Sequence, residues 1–178
     1  MGISYDKGKN INITDIVIDG APTVWINNET LCLQDGNDIL EVDVSDRKPR
    51  VIRTIVSGED VPAEDFYFYI VGSLDGEGVY VLGNEIYCGD RLLYHSNQQI
   101  NQIMADGSYV AFKAGSYVWV LDGRGNIKSK KSIDSDTTKL IAISPVHKFV
   151  YLVKNYQYIQ RYNFVDNDEI SIVYEVGR

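Results

Sequence analysis

The chain has 178 residues, 44% of them hydrophobic and 24% charged, which are globular proportions that leave little room for a largely disordered polymer. Twenty-five acidic residues against 17 basic ones give a net charge of −8, which argues against nucleic acid as a partner. No apolar run approaches the ~18 residues needed to span a bilayer, and the opening segment alternates polar and apolar where a secretion signal would carry a solid apolar block. No membrane partner and a cytoplasmic location are therefore expected.

From the N-terminus, NITDIVI reads as a strand within residues 10–18. Further strands center on Val24, Leu31, Ile39 and Val51. SGEDVPAED, from Ser57 to Asp65, reads as an acidic loop in which Pro62 blocks a strand. FYFYIV, GVYVL and a strand from Arg91 follow. In SNQQINQIMADG, Asn97 has the chemistry to cap a short helix, but Ile100 and Ile103 fit a short strand equally well. Beyond it come SYVWVL, NIKSKKSI, KLIAIS, FVYLV, NYQYIQRYNF and ISIVYEV. Aromatic and β-branched residues favor pleated, half-buried surfaces, and the 13 tyrosines fall mostly in these runs. The intervening DG, GN, NN, DGRGN and DND tolerate the positive φ of tight hairpin turns.

The strands repeat. Ile39, Val79, Val118 and Tyr158 lie 39 or 40 residues apart; an earlier set near Leu31, Phe68, Val110 and Val150 is less regular but keeps the same order, and a later set begins near Val51, Arg91, Asn126 and Ile170. An innermost set, at Val24, Gln102 and Ile141, is weak or missing in the second repeat. Four short strands per forty residues predict an all-β fold of about four propeller-like, four-stranded antiparallel blades, with a β-sandwich or irregular barrel as the alternative. The expected organization is one all-β domain over 1–178, with repeats 19–56, 57–97, 98–134 and 135–178 and the extra N-terminal strand. At SPVHKFVYLV the chain resembles bacterial propellers of the YVTN and WD-repeat type, which carry S-P-D-G-K before an apolar strand. Ser144, Pro145, Lys148 and Phe149 match, while Val146 and His147 replace the Asp-Gly turn. The resemblance implies architecture alone. Four blades either close a small ring or form an open set whose apolar faces need a second copy or another protein.

Chemistry is sparse. His95 and His147 sit at predicted strand ends or turns, and no G-x-S-x-G, H-E-x-x-H or C-x-x-C motif accompanies them, so no catalytic residue, metal site or cofactor is expected. Cys32 and Cys88 read as small buried residues. The acidic clusters at Asp35 and Asp38, Asp134 and Asp136, and Asp166 to Glu169 occupy hairpin turns and lack the calcium-loop pattern. Lys128, Lys130 and Lys131 fall on an outer strand, where lysines discourage strand addition; a phosphate patch there would need Arg124 or Lys139. Binding surfaces are best sought at the tyrosines. Tyr156, Tyr158 and Tyr162 share one face by period-two alternation, with Gln157, Ile159 and Arg161 on the other, and Tyr67 and Tyr69 form a similar pair. Packing of blade on blade is the competing role for them.

The sequence thus points to a non-enzymatic protein–protein interaction or assembly module whose partner is another protein or a second copy of the chain. A propeller-type hydrolase, lyase or small-ligand binder would instead draw on acidic turn residues such as Asp35, Asp75, Asp122 and Asp166 at a ring mouth. A structural component of a virion or similar assembly is the third reading, and no residue favors it.

Overall fold

The computed structural model describes residues 23–35, 38–45, 50–56, 68–134, 136–166 and 169–175. The expected N-terminal strand, the acidic loop from Ser57 to Asp65, and Tyr67 lie outside them. The described residues form strands, turns and bends, with no helix among them. Among the described residues, sixteen strands make four antiparallel four-stranded sheets, each a meander in chain order. The first sheet holds β1 (Thr23–Trp25), β2 (Thr30–Asp35), β3 (Asp38–Asp43) and β4 (Arg50–Val56). The second holds β5 (Phe68–Leu74), β6 (Glu77–Leu82), β7 (Glu85–Cys88) and β8 (Arg91–His95). The third holds β9 (Ile100–Asp106), β10 (Tyr109–Ala114), β11 (Tyr117–Asp122) and β12 (Ile127–Ser132). The fourth holds β13 (Thr138–Ser144), β14 (Phe149–Lys154), β15 (Tyr158–Asn163) and β16 (Ser171–Glu175).

The second sheet departs from the expected repeat. Ile39, Val118 and Tyr158 lie on third strands, whereas Val79 lies on β6, a second strand. The strand near Phe68 is the first of its sheet, and β7 went unrecognized in the sequence pattern. The cause is compression. Two-residue connections with Gly76, Gly83 and Gly89 at positive φ join short strands, so a fixed period slides past one of them. The ambiguous SNQQINQIMADG segment resolves as strand β9, because Ile100 and Ile103 pair with Ala114 and Phe112 of β10.

The chain forms two compact units, Met1–Leu92 and Leu93–Arg178. In the first, Cys32 and Ile39 pack with Ile70 and Tyr80, flanked by Val24, Ile26, Leu82 and Tyr87. Tyr80 and Tyr87 are cross-strand partners whose rings stack at 5.2 Å. The opposite face of the first sheet buries Leu33, Leu40, Val42 and Val51. In the second unit, Ala111, Val118 and Val120 of the third sheet meet Leu140, Ile143, Val150, Leu152, Tyr162 and Phe164. Lys113, buried on that side of the third sheet, donates from Nζ to the Thr138 carbonyl at 2.8 Å, so its charge keeps a polar partner.

Glycine matters most at Gly125, where φ is +83° and an added Cβ would collide with the Leu93 carbonyl oxygen. Gly76 has φ +86° and open space around it. Urea unfolding should therefore show Gly76→Ala losing about 1 kcal/mol from backbone strain alone, and Gly125→Ala losing roughly 2 kcal/mol more from the clash. Equal losses would mean that the Leu93 contact does not constrain the turn.

Candidate functional site

The fourth sheet has two unlike faces. Direct cross-strand partners share a face, so Val150 with Tyr162, and Leu152 with Gln160, form one side, while Tyr151 with Arg161, and Val153 with Ile159, form the other. Lys139 joins the second side as the partner of Val153, and Tyr174 joins it as the partner of Ile159. Burial separates the two sides. Val150, Leu152 and Tyr162 are 0–1% exposed against the third sheet. Phe149, Tyr151, Val153, Ile159 and Arg161 are half-buried, Lys139 is exposed, and Tyr174 is 58% exposed. An apolar, aromatic sheet face of this kind is incompletely withdrawn from water.

Two cations lie on this open face. The Arg161 guanidinium sits 4.4 Å from the Phe149 ring center, and Phe149 in turn meets Tyr151 edge-on at 6.3 Å. Lys139 Nζ sits 4.7 Å over the ring of Tyr156, which lies in the turn between β14 and β15. Among the described residues neither cation has a carboxylate within ion-pair distance. Three other cations do: Arg50 reaches Asp43 at 2.9 Å, Lys128 reaches Asp122 at 3.0 Å, and Lys154 reaches Asp134 at 3.7 Å.

The tyrosines predicted to form one stripe have three different placements. Tyr162 is core, Tyr158 is half-buried on the same side, and Tyr156 stands outside the strand at φ +57° with 70% exposure. Alternation fails at Tyr156 because the strand begins only at Tyr158. Tyr69 lies on β5 and Tyr67 lies outside the described residues. Burial pushes the Tyr162 phenol up to about 12. Its neighbor Ser129 acts in the opposite direction, yet neither buried oxygen has a partner in hydrogen-bond geometry.

The acidic turn residues do not occupy one station. Asp75 follows a first strand, Asp35 ends a second, and Asp122 and Asp166 lie at the third-to-fourth connection. In a meander, Asp35 therefore sits at the opposite sheet end from the rest. Asp122 organizes its own turn, accepting from the backbone N–H groups of Arg124 and Asn126 at 2.9 and 3.0 Å and from Lys128 Nζ. Burial raises its pKa, but the Asn126, Lys128 and Arg124 hydrogen bonds outweigh this and hold the carboxyl well below the usual range. Asp43 is held down to about 2 by the Ser45 hydroxyl and amide and by Arg50. His95 and His147 are exposed, at the end of β8 and in the turn after β13. Cys32 and Cys88 are free and buried; burial and the Glu77 carboxylate push the Cys88 thiol up to about 12. No group of three or more metal-ligating side chains occurs among the described residues. A cleft of about 450 Å³ in the second unit is lined by Ser132, Asp134, Thr138, Lys154, Gln160 and Ile170, and its one carboxylate is the one paired with Lys154.

No protein-family model and no curated protein matches the chain in sequence. Solved β-propellers match its fold. Apo AztD from Citrobacter koseri aligns with a TM-score of 0.62 at 11% identity, covering 89% of this chain and 47% of that one. Hsv2 from Kluyveromyces lactis aligns with a TM-score of 0.55 at 13% identity, covering 79% and 48%, and a KlHsv2 form with loop 6CD replaced by a Gly-Ser linker gives 0.60 at 13%, covering 85% and 55%. The chain spans about half the length of these structures. At such identities the likeness concerns the fold, and the all-β, propeller-bladed reading of the sequence holds.

Two substitutions check the local chemistry. Tyr162→Phe removes a buried hydroxyl that has no partner, so unfolding stability should stay the same or rise by up to about 1 kcal/mol; a loss beyond that would reveal a hydrogen bond to Ser129. Because the Asp122 pKa is lower in the folded chain, its contribution is complete above the unfolded value near 3.8 and is lost as pH falls through the folded value. The stability gap between wild type and Asp122→Asn should therefore be constant from pH 7 to 5 and shrink in the acid range below about 4. A gap that persists unchanged below pH 2 would remove the ionized carboxylate from the account.

Proposed function

We propose that the chain is a non-enzymatic interaction module of propeller blades, and that its contact surface is the open face of the fourth sheet. The observation that carries this reading is the contrast between the two sides of one sheet, 0–1% exposed at Val150, Leu152 and Tyr162 and half-buried to exposed at Phe149, Tyr151, Val153 and Tyr174. Apolar area left in water gains roughly 25 cal/mol per Å² when another surface covers it. Tyrosine and arginine, both present here, are favored at protein interfaces because they combine large contact area with a polar end. Propeller neighbors support the bladed architecture and leave the partner open. A hydrolase or lyase would call for several converging carboxylates, whereas the cleft in the second unit offers Asp134 already paired with Lys154.

Site-specific photocrosslinking tests the reading. With p-benzoylphenylalanine in place of Tyr174, cells of the source organism should yield a discrete protein adduct, and the same probe in place of Ile127, 50% exposed on the third sheet, should not. Tyr151→Lys or Val153→Lys, with the melting transition retained, should abolish the adduct. Equal adducts at both positions, or an adduct indifferent to both substitutions, would overturn the proposal.

A further inference from the structure

We infer that the open face of the fourth sheet receives an acidic segment of a partner protein, with carboxylates seated on Arg161 and Lys139; this rests on the interaction reading above and names the partner's chemistry. In a chain of 25 acidic and 17 basic residues, a cation has many potential partners, and the ion pairs at Arg50, Lys128 and Lys154 show local pairing at work. Arg161 and Lys139 have no such pair among the described residues, as is also true of Arg124, Lys130 and Lys148, but these two share the partly open face of the fourth sheet. The ionizable strand residues on that face besides them are the tyrosines Tyr151 and Tyr174; the acid Glu175 pairs with Tyr158 on the other side. The face is locally cationic on an acidic protein.

Geometry adds to this. A guanidinium whose plane rests against an aromatic ring keeps its in-plane N–H donors directed outward, the arrangement that accepts a carboxylate with two parallel hydrogen bonds. The Arg161 guanidinium carbon lies 4.4 Å over the Phe149 ring, and Lys139 Nζ lies 4.7 Å over Tyr156, so each cation is held at an aromatic side chain. Arg161 and Lys139 stand two strands and two residues apart, because Lys139 pairs with Val153, Tyr151 pairs with Arg161, and β14 runs between them. Strand spacing and rise put their backbones about 12 Å apart, the span of roughly four residues of extended chain. Between them lie Tyr151, Val153 and Ile159, apolar ground for the side chains that separate the two carboxylates. The net charge of −8 would repel an acidic partner at long range, but the Debye length of about 8 Å at physiological ionic strength leaves the nearby cations dominant.

The test uses the whole chain and fluorescent peptides. One peptide carries two glutamates four residues apart among valines and leucines; the others have glutamine or lysine in place of glutamate. Anisotropy should show the glutamate peptide binding about tenfold or more tighter than the glutamine peptide, with the lysine peptide weakest. Arg161→Glu and Lys139→Glu should each weaken the glutamate peptide by roughly tenfold and favor the lysine peptide, while Arg124→Glu, the same charge change on an exposed turn, should stay within about twofold. Equal binding of the glutamate and glutamine peptides, or insensitivity to Arg161→Glu, would overturn the inference. So would light scattering that shows a dimer dissolved by Tyr151→Lys, since the occupant would then be a second copy. A Tyr174 photo-adduct that survives both Arg161→Glu and Lys139→Glu would overturn the acidic segment and leave the interaction reading standing; loss of the adduct on Tyr151→Lys reports on that reading separately.

Discussion

A sheet that carries apolar residues on both faces needs cover on both, and the rest of this structure follows from that requirement. In the third sheet it is met. Ala111, Val118 and Val120 bury against the fourth sheet, while Phe112 and Trp119 on the other side are met by Tyr94, whose ring lies 5.4 and 6.1 Å from theirs. The first sheet is likewise buried on both sides, through Cys32 and Ile39 on one and Leu33, Leu40 and Val42 on the other. Within each unit, stacked blades satisfy the condition because one sheet acts as the lid of the next. The abundance of tyrosine fits the same need, since a phenol fills the wide gap between twisted sheets and still brings its hydroxyl to a polar edge.

Hairpin geometry sets where these faces begin and end. Two-residue connections with positive φ match the right-handed twist of the strands they join, as at Asp75-Gly76, and they keep each four-stranded unit in sequential order. At Asn155-Tyr156 the same conformation is taken by a bulky residue, with φ values of +53° and +57°. A tyrosine in that region carries backbone strain that glycine would avoid. What the chain obtains there is an aromatic ring beneath Lys139, at the margin of the open face.

Much of this was legible in the residues. Aromatic and β-branched runs separated by DG, GN and NN turns located most strands, and the forty-residue period identified four-stranded blades. The period misplaced Val79 because turns of minimal length shorten the second sheet, and a period measured from its neighbors has no means to register that. The site was harder to read for a different reason. FVYLV is apolar at every position, so alternation sorts Phe149, Tyr151 and Val153 from Val150 and Leu152 without saying which set is buried. Arg161 was placed opposite Tyr158 and Tyr162 by the same alternation, correctly, yet its significance depends on Phe149 lying beside it and on the distance to any carboxylate. Both are properties of register, which is set across strands and is absent from any one of them.

The third and fourth sheets also show how one chemical device has different consequences in different surroundings. Lys130 of β12 lies 4.3 and 4.4 Å over Tyr117 and Trp119, and Arg161 of β15 lies 4.4 Å from Phe149. Both place a cation on the electron-rich face of a ring, a contact worth about 0.5–1 kcal/mol at exposed sites. On the third sheet the aromatic cluster is completed by Tyr94, so the lysine caps ground that is already covered. On the fourth, the ring contacts of Phe149 and Tyr151 among the described residues are with each other and with Arg161. There the cation takes the place that a neighboring side chain would fill, shielding one ring face while keeping the sheet face polar enough to stay in water. A surface held in that condition can be covered without refolding, because the strands, turns and rotamers that present it are already fixed by the buried side of the same sheet.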